Sequence, residues 1–176
     1  MADFPAGNDV SQQVINTWSL EAVGIPMLCE GRSMASAVWP TANLAIAVPA
    51  ELHVGQTINQ LMISNGAAVS GNVDAGLYLP DGTRIVSKGS TAQAGTSVIQ
   101  ALDVTDTYVA PGLIYMVQAM DNTTGTFQRP ATPAVTAGAM GVLQMATAFP
   151  LPATMTFAAM AQVGVPNISA FFRTVV

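Results

Sequence analysis

A chain of 176 residues with 51% hydrophobic but only 9% charged residues has the length of one domain plus an appended segment. Its charge is well under half the ~25% usual in soluble domains, so it reads as a subunit whose surface neighbours cover. A net charge of -5 with no Lys/Arg cluster excludes phosphate contacts to nucleic acid, and the single cysteine, Cys29, excludes an intrachain disulfide scaffold.

Residues 1–40 contain Pro5, Pro26 and Pro40 and no sustained alternation. They read as an N-terminal arm with at most one short helix, over "DVSQQVINTWSLEAV", where Asp9 or Ser11 would cap and Val14, Ile15 and Trp18 fall at helical spacing. Trp18 and Trp39 argue for an ordered arm, packed along the domain or onto a neighbouring subunit, since disordered tails are poor in aromatics. "MADFPAGNDVSQQV" has neither a basic n-region nor an apolar h-region, so export by a signal peptide is not expected.

Residues 41–176 read as a β-sandwich domain, in which short apolar runs alternate with turn residues. "NLAIAV" and "TINQLMIS" bracket residues 49–55, and Asn65-Gly66 marks a turn. Val73, Ala75, Leu77 and Leu79 share one face of a strand that turns at Pro80-Asp81-Gly82 and returns through residues 83–88. In "TSVIQALDV", Val98, Gln100, Leu102 and Val104 alternate with Ile99, Ala101 and Asp103. "LIYMVQAM" is apolar on both faces, as a central strand covered on both sides would be. "TGTFQR" follows a turn at Asp121-Asn122.

No charge occurs between Arg129 and Arg173. Pro130, Pro133, Pro150, Pro152 and Pro166 rule out a membrane-spanning helix, which needs about 20 uninterrupted apolar residues. Strands are expected instead in "AMGVLQMA", "TMTFAAMA" and "NISAFFRTVV", joined by "TAFPLP". Met155, Phe157 and Ala159 alternate there with Thr156, Ala158 and Met160. Strands apolar on both faces need a second cover, so Trp18, Met140, Met145, Met155, Phe157, Met160 and Phe171 are the candidate subunit-interface residues; the alternative is that they complete the core.

Catalytic and metal chemistry find little footing. One cysteine and one histidine, His53, cannot supply a zinc site, and no calcium-loop spacing occurs among the aspartates. His53 has no nucleophile motif beside it, "GRSMA" lacks the closing glycine of a nucleophile elbow, and Asp103 with Asp106 is better explained by a strand end and turn. No cofactor, metal or catalytic residue is expected, and the chain reads as non-enzymatic. For glycan binding, Trp39 and Tyr108 are the aromatic platforms nearest to loops.

Residues 54–127 combine a strand, Asn-Gly, a "GNVDAGLY" strand, a "PDGT" hairpin, a "GST" loop and an "APGLIYM" strand entry. This pattern resembles a jelly-roll-like module of tailed-bacteriophage virion proteins. The resemblance implies an all-β, jelly-roll-like antiparallel β-sandwich in a head-decoration, head-spike or fibre component of a virion, made in the host cytoplasm. Its partners would be further copies and other virion proteins. The alternative it implies is a glycan-binding module for host-surface attachment in a tail or fibre.

Overall fold

The computed structural model describes residues 34–130, 134–162, 164–166 and 168–173. The expected short helix and Trp18 lie outside them. The elements are β1 (Met34–Val38), β2 (Ala45–Leu52), β3 (Gln56–Ser64), β4 (Asn72–Tyr78), β5 (Arg84–Ser87), β6 (Thr91–Ala92), β7 (Ile99–Val109), β8 (Gly112–Met120), β9 (Thr126–Pro130), α1 (Ala134–Ala139), β10 (Leu143–Met145), β11 (Ala158–Ala159) and β12 (Ile168–Arg173). Every strand pairing is antiparallel, and β1 falls inside the range read as the arm, paired along its length with β9.

Five of the nine strand pairings are nested about one turn. The two residue numbers of a pair add to 164 at Met34↔Pro130, at Ala45↔Ala119 and at Asn72↔Ala92. The sum drifts to 165 at Gln56↔Val109, 163 at Ser64↔Ile99 and 162 at Tyr78↔Arg84. The chain from β1 to β9 is therefore one long hairpin folded at Pro80-Asp81-Gly82, where Gly82 takes φ +86° and donates to Leu79 O at 2.9 Å. Asp81 Oδ1 reinforces the turn by accepting from Thr83 N at 2.8 Å. Leu79, expected on the buried face with Leu77, lies in this turn and is exposed.

Rolling that hairpin produces the jelly-roll-like sandwich. The larger sheet runs β11-β10-β2-β8-β4-β5, with β6 also on β4, and the smaller runs β12-β3-β7. Ile46, Val48, Val73, Ala75, Leu77, Met116 and Met120 of the larger sheet meet Ile58, Leu61, Ile63, Leu102 and Ile168 of the smaller in one core. Most of these positions alternate along their strands, so the period-2 pattern places them inward, and in β3 a register shift between Ile58 and Gln60 brings Ile58 and Leu61 to the same face.

The outer face of the larger sheet carries a second core. Ala45, Ala47, Tyr78, Val117 and Ala119 lie there beneath Ala148, Leu151 and Met155, with Phe149 and Phe157 packed against them. The covering residues belong to segment 146–157, which leaves β10 and returns at β11, two strands that pair with each other. Hydrogen bonds fasten it down. Tyr78 Oη donates to Pro152 O at 2.6 Å, Arg84 N donates to Ala153 O at 2.9 Å, Met155 N donates to Gly82 O at 2.8 Å, and Asp74 Oδ2 accepts from Leu151 N at 2.9 Å. Gly76 lets the segment close, because a Cβ there would meet Leu151 Cδ1 at 3.1 Å and Val86 O at 2.8 Å.

Two expectations for the C-terminal third change. The strands expected across residues 139–146 and 154–161 shrink to β10 and β11, because backbone between them pairs with the β4–β5 turn while its side chains lie on the sheet. Residues 134–139, inside the range read as a β-sandwich domain, form a short helix. It is closed by a Schellman arrangement: Gly141 at φ +77°, Val142 N donating to Ala137 O at 3.1 Å, and Gly141 N donating to Gly138 O at 3.0 Å.

Candidate functional site

The loops at one end of the sandwich are held more tightly than loops usually are. They comprise residues 65–71, 93–98 and 121–126, and meet the end of β1. The backbone closes a relay: Asn65 N to Val98 O at 3.0 Å, Ser97 N to Gly66 O at 2.7 Å, Gly66 N to Thr126 O at 2.9 Å, and Thr126 N to Ala68 O at 2.8 Å.

Amide side chains fill the space between. Asn65 is buried and donates to Ala94 O at 2.6 Å and to Gln100 Oε1 at 2.9 Å. Gln93, also buried, donates to Asn65 Oδ1 at 3.1 Å and Thr126 O at 2.7 Å, and accepts from Ser70 N at 3.0 Å. Asn122 donates to Ser70 O at 2.9 Å and accepts from Gly125 N at 2.8 Å. Buried amides with their partners supplied rigidify what they join. Gly66 sits so close to Ser36 and Thr126 that a Cβ would collide with both hydroxyls.

Charge is almost absent from this end. Residues 35–50, 52–73, 89–102 and 122–128 contain no Asp, Glu, Lys or Arg. Asp121 is the exception, and its oxygens accept from Asn72 N at 2.9 Å, Asn72 Nδ2 at 2.8 Å and Asn122 Nδ2 at 2.6 Å. Burial pushes its pKa up, but the hydrogen bonds from Asn122 and Asn72 outweigh it and leave the carboxyl below the usual 3.8. Outward from this base stand Ala67, Ala68, Val69, Val38, Val98 at 50% exposure and Ile99 at 65%. The amides and Asp121 are engaged internally, so the end offers apolar side chains together with the exposed hydroxyls of Thr96, Ser97 and Thr123. Among the described residues, no three His, Cys, Asp or Glu side chains gather where they could hold a metal.

The residues singled out from sequence separate. Trp39, expected as a glycan platform, is fully buried at the base of this end; its indole N–H donates to Leu44 O at 2.9 Å and its ring meets Phe127 edge-on at 4.8 Å. That expectation is corrected, because the strand turn at Pro40 carries the indole inward, where its one donor finds a carbonyl. Tyr108 is 65% exposed at the opposite end, its ring lying over Gly55. The two are not brought together.

Met155 and Met160 are buried under their own chain, in the second and first cores respectively, so they offer no face to a neighbour. Met140 is half-buried against the first core, and Met145 and Phe157 against the second, where Phe157 stacks on Tyr115 at 5.0 Å. Phe171 pairs in register with Gln60. Reading for aromatics and methionines overlooked the uncharged loops, although the charge-free runs that mark them were visible in the sequence.

Fold and site together define an antiparallel β-sandwich with one closely hydrogen-bonded loop end whose charged side chain is Asp121. No known protein family, curated protein or solved structure matches the chain.

Proposed function

We propose that the chain is a non-enzymatic structural subunit of a phage-type particle, a capsid-decoration, head-spike or fibre-base component located in the virion. It works through contacts with further copies and with other virion proteins. The observation that carries this reading is the loop end itself: apolar side chains exposed on a hydrogen-bonded platform that bears little charge. Such a platform loses little conformational freedom when a protein surface docks on it. Binding that favours the assembled state stabilises it by mass action. Mass spectrometry and immunogold labelling of density-purified particles from the source lysate test the proposal. A fixed copy number per particle is expected, and a chain recovered only from the soluble fraction overturns it.

Glycan binding is the second reading, and Tyr108 is its support, an aromatic ring held open to solvent. Tyr108→Ala should then abolish signal on a glycan array. Trp39→Ala does not discriminate, since it removes a core residue.

A further inference from the structure

Asn65-Gly66 is the one Asn-Gly pair in the sequence. Glycine after asparagine leaves the side-chain amide open to attack by the following backbone nitrogen, because it adds no side chain in the way and bends freely into a ring. In this fold every polar atom of that reaction is already engaged. Gly66 N, the nucleophile, donates to Thr126 O at 2.9 Å. Asn65 Nδ2, the leaving group, donates to Ala94 O at 2.6 Å and to Gln100 Oε1 at 2.9 Å, and Oδ1 accepts from Gln93 Nε2 at 3.1 Å. Asn65 is buried and stands in an antiparallel bridge with Phe127, so its extended backbone holds Gly66 N away from the carboxamide and the surrounding loops keep water out.

We infer that Asn65 is a deamidation site that folding closes and unfolding opens, and that its modification keeps the loop end from forming again. In the open chain Gly66 N attacks Asn65 Cγ and gives up its proton while the Cγ–Nδ2 bond breaks, which releases ammonia and leaves a five-membered succinimide. Water then adds to either imide carbonyl and opens the ring, giving aspartate or isoaspartate at position 65.

Neither product fits the site. A carboxylate only accepts hydrogen bonds, and the groups that face the Asn65 amide, Ala94 O and Gln100 Oε1, are themselves acceptors. Gln100 is held from turning its amide round, because Oε1 also accepts from Ala94 N and Nε2 donates to Ala92 O. Residues 52–73, 89–102 and 122–128 supply no Lys or Arg to pair with the new buried charge. Isoaspartate also lengthens the main chain between Asn65 N, which donates to Val98 O at 3.0 Å, and Gly66 N, so the two no longer reach Val98 O and Thr126 O together. A chain modified before it refolds is thereby withdrawn irreversibly from the folded pool.

The test holds wild type at mildly alkaline pH, folded in buffer and unfolded in guanidinium chloride, and follows the peptide that contains Asn65 by mass spectrometry. Deamidation in the folded chain should be more than about a hundredfold slower than in the unfolded chain, since reaction there waits on opening. When the denaturant is removed, the fraction of chains that regain their strand spectrum by circular dichroism should fall in step with the fraction modified. Asn65→Asp, expressed directly, should lower the melting temperature; if that variant does not fold, the wild-type rates and refolding yields decide the matter. Equal rates in the folded and unfolded chain overturn the inference, as do modified chains that refold as completely as unmodified ones.

Discussion

The Asp74 carboxylate joins the middle of the larger sheet to the segment that covers it: Oδ2 accepts from Leu151 N and Oδ1 from Gly89 N, each at 2.9 Å. Asp74→Ala strands both N–H groups and should cost about 2–4 kcal/mol. Urea denaturation should show that loss. Limited proteolysis should also cut faster within residues 146–157 than in wild type, and equal cutting rates would mean the carboxylate does not hold the segment.

The same residue sets a pH dependence. Burial raises the Asp74 pKa above 3.8, against the opposing hydrogen bonds from Leu151 and Gly89 and the nearby Arg84. A folded-state pKa above the unfolded value means the contribution to stability is complete below the unfolded value and is lost as pH rises through the folded one. Replacing the group by Asp74→Asn should therefore cost more stability at mildly acidic pH than at neutral pH. Asp121, lowered in the folded state, acts in the opposite sense: its contribution is present above 3.8 and is lost as pH falls through its folded pKa, so Asp121→Asn should flatten the acid limb of the stability profile. Denaturation midpoints of the two variants across the acid range check both signs.

Gly76 is a spacing residue. Gly76→Val drives a branched side chain into Leu151 and the Val86 carbonyl, and overpacking of this kind costs about 1–3 kcal/mol. The expected signature is a lower melting temperature together with exposure of Tyr78, read by quenching of tyrosine fluorescence.

Gln118 offers the reverse experiment. It points into the first core opposite Ile46 and Ala75, and its Nε2 has no partner among the described residues. Gln118→Met keeps the length and removes the unpaired donor, so it should raise stability by about 1 kcal/mol, a shift of roughly 2–4 °C in a chain of this size. Calorimetry that shows a lower melting temperature would assign the amide a structural partner.

Trp39→Ala should cost about 3–5 kcal/mol by emptying a fully buried site against Phe127, whereas Tyr108→Ala should change stability by less than about 0.5 kcal/mol. Equal costs in thermal unfolding would contradict their assigned places.

The sequence by itself determined the all-β class, the β4–β5 hairpin and the double-faced burial of β8, because a two-residue period and a Pro-Asp-Gly turn are local properties. It also excluded a membrane-spanning helix in the C-terminal third, through its prolines; among the described residues no helix is long and apolar enough to cross a membrane. Tertiary structure decided what covers the second face of the larger sheet. Met155 and Leu151 reach it only because Asp74, Tyr78 and Gly82, more than 65 residues earlier in the chain, hold segment 146–157 in place. Tertiary structure also buried Trp39 and left Tyr108 exposed, since nothing local distinguishes two aromatics that stand beside loops. The uncharged end lay in four separate stretches of sequence, each unremarked alone. The loops 65–71, 93–98 and 121–126 came together at one end when the nested hairpin rolled up, while the turn at residues 53–55 went to the other.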